Sequence, residues 1–357
     1  MAKPNSRKRR ALRALEDLPG LFDTVDIDMS SVGDDREAHH RPVDEPSAAA
    51  AGDASFDISP ESLHPHDRLM FVSFGSGSSG NCAYLGNSEG GILIDAGVDT
   101  DIVEKGLKQH KIDIKNIAGI LITHDHGDHA RAAYKLLRYN RHMLLYCTPR
   151  CLQGLLRRSS VSRRITDYHK PIYKEFEFEA GGFTITPFET SHDGSDNVGF
   201  FIRRKDKAFV VATDMGMITE RADHYMRQAN FLMLEADYDA EMLRRSNRPE
   251  YLKARIAGPT GHLENIVSGE WAASVLAENK ERPDILSHIF LCHLSQETNT
   301  PELALSTVRG ALEAKGITVG NATMSAELSP ERVQLAALPR LTASPLYVLR
   351  RVTSKNE

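Results

Sequence analysis

Thr123-His124-Asp125-His126-Gly127-Asp128-His129 is the stretch on which the reading of this 357-residue chain turns. It places three histidines and two aspartates in the six positions from His124 to His129. Directly before it runs Ile117-Ala-Gly-Ile-Leu-Ile122, short, apolar and rich in β-branched residues, which predicts a buried strand. The cluster then occupies the loop leaving that strand, where a rigid scaffold displays functional side chains. Imidazole and carboxylate are the ligands of zinc and its neighbours, while manganese favours carboxylate-rich sets, so the cluster predicts a metal site.

Outward from the cluster, the same arrangement recurs. Asp95 follows the apolar run Gly91–Ile94, His192 follows Phe183–Phe188, Asp214 follows Ala208–Ala212, and His293 follows His288–Cys292. With the cluster, five strand ends offer His or Asp, the pattern a shared site produces. In a loop, His124 and His126 can point to one side toward a first metal, and Asp128 and His129 can turn to a second, with Asp214 bridging. Two ions about 3.5–4 Å apart can hold a hydroxide between them and clamp the attacking and leaving oxygens of a phosphoryl group.

The rest of the chain limits the alternatives. No apolar run reaches the length of a membrane span, and no secretory signal follows the basic Arg7-Lys-Arg-Arg10. Four scattered cysteines, Cys82, Cys147, Cys151 and Cys292, make no disulfide framework and point to a reducing cytoplasm. Residues 1–67 carry 8 Lys/Arg against 14 Asp/Glu and little apolar periodicity, so they read as a disordered acidic extension. The body, 68–357, keeps 36 basic and 35 acidic side chains (44 − 8 and 49 − 14), so nucleic-acid binding would rest on local basic patches. Across it, strands are expected at Leu69–Phe74, Cys82–Leu85, Gly91–Ile94, Met143–Cys147, Phe176–Ala180, Phe183–Phe188, Val198–Arg203, Ala208–Ala212, Phe231–Leu234, His288–Cys292 and Pro345–Arg351. Helices are expected between them, notably Ala130–Tyr139, Pro149–Arg158, Glu250–Arg255, Glu264–Glu278 and Glu302–Ala314. Strands and helices in two successive blocks suggest an α/β domain of sheets packed together with helices outside.

These residues, Thr-His124-x-His126-x-Asp128-His129 with His192, Asp214 and His293, resemble the ordered ligand motifs of the metallo-β-lactamase superfamily. The resemblance implies an αβ/βα four-layer sandwich with a dinuclear site at the edge between two sheets. His124, His126 and His192 would hold the first metal, Asp128, His129 and His293 the second. Asp214 would bridge them, and Asp95 would orient the His-rich loop. Gly75-Ser-Gly-Ser-Ser-Gly-Asn-Cys82, Leu93-Ile-Asp-Ala-Gly97, Gly261-His262-Leu263 and His293-Leu-Ser295 resemble more narrowly the YycJ (WalJ) branch, which implies 5′ to 3′ DNA exonuclease activity. Glu264 stands where that branch has Ser, Thr298 where it has Asn, and its Asn-His pair is missing around Glu235–Asp239.

Substrate contacts are expected from the Gly75–Asn81 turn, whose Ser78, Ser79 and Asn81 suit a phosphate as well as a plain tight turn, and from Lys253 and Arg255. On one helix those two cations diverge by about 200°, so one faces phosphate and the other solvent or a carboxylate. His262, in a Gly/Pro loop, is placed to contact the scissile phosphate or protonate a leaving oxygen, with Asp128 and Asp214 as its catalytic companions. The expected function is a phosphodiesterase, foremost a DNA exonuclease using two Zn²⁺ or Mn²⁺ ions and a bridging hydroxide. An RNA-processing nuclease, a small cyclic phosphodiesterase and a non-catalytic regulatory metalloprotein are the alternatives.

Overall fold

Leu69–Gly75 is buried at six of its seven positions, and Cys82–Asn87 and His288–Cys292 at every one. A strand achieves this only when both faces of its sheet are covered. The computed structural model, which describes residues 68–279, 282, 285–322 and 333–349, shows how. The expected disorder of 1–67 lies outside the described residues, as do the last two positions of the closing strand.

One sheet has the order β15 (Tyr347–Leu349), β1 (Leu69–Gly75), β2 (Cys82–Asn87), β3 (Gly90–Ile94), β4 (Ile117–Leu121), β5 (Leu144–Cys147), β6 (His169–Pro171). The other runs β13 (Val319–Asn321), β14 (Val333–Ala337), β12 (His288–Cys292), β11 (Phe231–Glu235), β10 (Lys207–Ala212), β9 (Val198–Arg204), β8 (Phe183–Glu189), β7 (Phe178–Ala180). Three apolar cores fill three interfaces, the signature of a helix–sheet–sheet–helix sandwich. Between the sheets, Phe71 meets Phe209 and Phe290 at centroid distances of 4.9 and 4.8 Å, beside Ile94, Phe200 and Phe231. Outside one sheet, Val103, Leu136 and Leu155 pack under the helices Thr100–Gln109, Ala133–Tyr139 and Pro149–Arg157. Outside the other, Ala272, Val275 and Val308 do so under Asn265–Glu278 and Pro301–Ala314. No helix among the described residues is long and apolar enough to cross a membrane.

Strand direction positions the site. β3 to β6 run parallel, as do β10, β11, β12 and β14, and β8 shares the direction of β10 through the antiparallel β9. Their carboxyl ends therefore gather at one edge of the sandwich. The expected helix over Ala130–Tyr139 is broken into Gly127–Ala130 and Ala133–Tyr139, because the first turn begins inside the His-rich loop. β6, β13 and β14 carried too few consecutive apolar residues to be read as strands from the sequence.

At the opposite end of β12, His288 is buried between Phe231 and Phe290, and burial alone pushes its pKa down to about 4. A folded-state histidine below its ordinary 6.5 means the unfolded chain binds the proton first as pH falls. Stability is therefore lost on going from pH 6.5 toward 4, by about 3 kcal/mol at most. His288→Phe is expected to flatten that part of the acid limb, read as urea midpoints at near-neutral and acidic pH.

Candidate metal centre

Among the described residues, seven non-glycine residues have positive φ, and three of them stand at strand ends: Asp95 (58°), Asp214 (54°) and His293 (54°). The left-handed region is costly for most side chains but entered more readily by Asp and His. The chain turns sharply after β3, β10 and β12 there, and drives each side chain into the space between the sheets.

Asp214 lies at the centre of that space. Its Oδ2 is 3.3 Å from His129 Nε2, while Oδ1 is 3.4 Å from His293 Nε2 and 3.7 Å from His192 Nε2. Around it, the ligand atoms of His124, His126 and His192 lie within 4.8 Å of one another, as do those of Asp128, His129 and His293. These two triads overlap with further groups of donor atoms, His124 with His129 and Asp214, and Asp214 with Glu235, His262 and His293. His124, His129, His192, His293 and Asp214 are buried, and Asp128 and His126 keep 23% and 14% of their side chains exposed on the open side. Burial acts to raise the Asp214 carboxyl, but His293, His129 and His124 around it hold it well below the usual carboxylate range. Burial pushes His124 far down, whereas Asp214, Asp95 and Asp128 outweigh it at His129 and raise that ring to about 9.

The loop is held by its own chemistry. Asp95 Oδ2 is 2.8 Å from His129 Nδ1, and its Oδ1 accepts from the Thr123 amide (2.9 Å), so the aspartate fixes the loop at both ends. Asp125, between His124 and His126, faces away from the cluster and accepts from Ser195 N (2.7 Å) and Ser195 Oγ (2.8 Å), joining this loop to that of His192. Gly97 passes so close that a Cβ there would lie 1.5 Å from the Asp128 carbonyl oxygen. Gly97→Ala must displace the backbone of Asp128 and His129 itself. It is expected to cost about 3 kcal/mol or more, beyond the usual overpacking range, measured as a shift in the denaturation midpoint.

Sequence reasoning missed two carboxylates. Glu235, the last residue of β11, is fully buried; it accepts from Met215 N (2.5 Å), pairs with His262 Nδ1 (2.8 Å) and lies 3.4 Å from His293 Nδ1. Asp237 is 3.3 Å from the same His293 nitrogen. The signal was present, since an acid ending an apolar run was the feature that singled out the other strand ends. His262 does reach the centre: it stacks on His293 at 5.0 Å and sits 3.8 Å from Asp214. Burial acts to lower its pKa, but Asp237 and Glu235 raise it to about 9.

Among the residues expected at the substrate, Ser78 is exposed at the tip of the Gly75–Asn81 turn and Ser79 half-buried. Asn81 is buried, with Nδ2 2.9 Å from His129 Nε2 and Oδ1 accepting from Gly77 N, so it holds the turn as well as facing the cluster. Arg255 Nε donates to Asp193 at 2.8 Å, beside His126 and His192. Lys253 turns the other way, its ammonium engaged by the Arg244 carbonyl (2.8 Å) and Glu250 (3.0 Å) rather than by the cluster.

The donor set fits a divalent metal. His124 Nε2 and both ring nitrogens of His293 are buried without a hydrogen-bond partner, and they face carboxylates whose charge a cation would neutralise. Fold and pocket together define a metal-dependent hydrolase. The model of the beta-lactamase superfamily domain matches residues 91–289, and the chain belongs to that superfamily, in the branch of YycJ and WalJ. The exodeoxyribonuclease YycJ of Bacillus anthracis is 30% identical over 255 residues, 71% of this chain and 93% of that protein. The exodeoxyribonuclease WalJ of Streptococcus pneumoniae is 31% identical over 246 residues, 69% of this chain and 88% of its own length. The crystal structure of the metallo-beta-lactamase fold protein YhfI from Bacillus subtilis matches the fold with a TM-score of 0.54 at 12% identity, covering 78% of this chain and 99% of that one.

Proposed function

We propose that residues 68–357 form a dinuclear phosphodiesterase acting on DNA, an exonuclease working from the 5′ end. The observation that carries this reading is Asp214 lying within 4 Å of His192 in one triad and of His129 and His293 in the other, beside two adjacent sets of donor atoms. The extent of the likeness to proteins named exodeoxyribonucleases supports DNA as the polymer. The direction rests on the resemblance to their branch. His124, His126 and His192 would hold one ion and Asp128, His129 and His293 the other, with Asp214 between them. Imidazole-rich donors suit Zn²⁺, and the two carboxylates admit Mn²⁺. Bound there, such ions supply Lewis-acid stabilisation of phosphoryl oxygens and a lowered pKa for water.

The protein's own groups do the rest. Asp128, on the open side, orients an incoming water. Asp95 holds His129 in one orientation through Nδ1. Glu235 engages His262 Nδ1, which leaves Nε2 as the nitrogen that meets substrate and delivers a proton to the leaving oxygen. Four buried free cysteines suit a reducing cytoplasm. The test is purified full-length protein with Mn²⁺ or Zn²⁺ and end-labelled single- and double-stranded DNA and RNA. Release of mononucleotides from DNA 5′ ends is expected. Absence of phosphodiester cleavage with either metal overturns the nuclease reading, and cleavage of RNA alone overturns the assignment to DNA.

A further inference from the structure

The arginines beside the metal pocket are not equally engaged, and Arg158, for one, donates through Nε to the Asp125 carbonyl at 2.7 Å. Arg255 is paired with Asp193, and Arg248 with Glu297 at 2.9 Å. Arg131 and Arg340 differ: among the described residues, both are hydrogen-bonded only to neutral groups, and both reach the same one, Ser79. Arg131, just beyond Asp128 and His129, donates through Nη2 to the Ser79 carbonyl. Arg340, after β14, donates through Nη2 to Ser79 Oγ (3.1 Å) and Gln296 Oε1 (3.4 Å). Its Nε is buried and has no hydrogen-bond partner. The carboxylate that acts on Arg340 is Asp237, which turns to His293 instead.

Both arginines are tied to the catalytic pocket by the turn they hold. Ser76 Oγ accepts from the His293 amide at 2.9 Å, and Asn81 reaches His129. Arg340 Nε lies 3.0 Å from where a Cβ on Gly77 would stand, and Leu294 O lies 3.1 Å from the same point. Two guanidinium groups therefore converge on Ser79, two residues from Asn81, with exposed Ser78 between the turn and solvent. A guanidinium has five donors, of which these two spend one and two respectively on neutral acceptors. The planar fork is the group best matched to a phosphate dianion or diester.

We propose that Arg131 and Arg340, with Ser79, form a subsite for a non-scissile phosphate, the one next to the bond being cut. This deepens the nuclease reading and rests on it. A phosphate held there would fix the strand's register over the metals, a role that neither Lys253 nor the carboxylate-paired Arg255 supplies. It would also replace the weak contact to Gln296.

The experiment compares full-length Mn²⁺-loaded wild type with Arg340→Ala, Arg340→Lys and Arg131→Ala on 5′-labelled DNA. Metal content and melting temperature are followed to show that each variant remains folded and loaded. Each alanine variant is expected to raise KM for DNA about tenfold or more with kcat within about threefold, and to make the salt slope of binding shallower by about one. Arg340→Lys should restore part of the loss, because a point charge replaces a fork. A single methylphosphonate linkage beside the cleaved bond removes the phosphate charge from the substrate side. The methylphosphonate penalty should be largest in wild type, smaller in Arg340→Ala, which keeps Arg131, and absent in the double variant Arg131→Ala/Arg340→Ala. Wild-type turnover with unchanged KM and salt slope in the variants overturns the subsite and leaves the nuclease reading standing, as does a methylphosphonate penalty equal in wild type and double variant. A wild type that neither binds nor cleaves DNA overturns both.

Discussion

Asp214→Ala is expected to abolish hydrolysis, with a loss of about 10³-fold or more in kcat, while the fold survives. The magnitude follows from position. Among the described residues, Asp214 is the one carboxylate within 4 Å of His129, His192, His262 and His293 together, so its removal opens both triads at once. Loss of the charge stabilisation that a bound ion supplies amounts to several kcal/mol, and each 1.36 kcal/mol is tenfold in rate. The metal-free fold should lose some stability as well, because alanine tolerates φ 54° less well than aspartate and the surrounding histidines lose the carboxylate that compensates them. Metal content should fall with activity, measured by elemental analysis after gel filtration, and thermal unfolding of the metal-free protein shows that the variant still folds, at a lower melting temperature. Asp214→Asn separates charge from shape: the amide can still accept one contact but cannot neutralise a bound cation, so most of the loss should remain. A variant keeping full metal and activity would remove Asp214 from the centre of the site.

How much of this was legible in the sequence depends on what each residue's neighbours revealed. The His124–His129 loop declared itself because its ligands are consecutive and its strand is purely apolar. His192, Asp214 and His293 could be found because each ends such a run, and strands running in one direction bring those ends to one edge. Glu235 ends a run as well, but it is the last residue inside β11 rather than the first residue beyond, and a carboxylate in an apolar strand reads as an exposed terminus. Its burial depends on the β10 and β12 neighbours and on Met215 and His262, none of them adjacent in sequence. The same limit explains Lys253 and Arg255. Helical spacing showed that they diverge but not that Asp193, 62 residues away, is the partner of Arg255. Arg131 and Arg340 carried no local pattern at all, since only the folded turn brings both to Ser79.

His262→Ala is expected to lower kcat by about 10²- to 10⁴-fold, the range for loss of a positioned acid or base, with metal content retained. His262 belongs to neither triad, but its ring lies within ligand reach of Asp214, Glu235 and His293, so metal content, measured alongside, separates loss of a proton donor from loss of a ligand. Glu235 acts through His262. Glu235→Gln keeps an oxygen for the Nδ1 proton but removes the charge that, with Asp237, outweighs burial and raises the ring to about 9. Burial then prevails, and the ring loses its proton at lower pH. With His262 as the proton donor, the alkaline limb of the kcat profile should shift to lower pH in Glu235→Gln, whereas a purely structural role for Glu235 would scale the profile without moving it. Glu235→Ala should also cost stability, because the buried Met215 amide, which donates at 2.5 Å, is left without an acceptor. In the double variant Glu235→Gln/His262→Ala, the losses should not multiply, since the glutamate has no imidazole left to hold. Multiplicative losses would show that Glu235 acts instead through His293, 3.4 Å from the same oxygen, and metal content would then fall in Glu235→Gln alone.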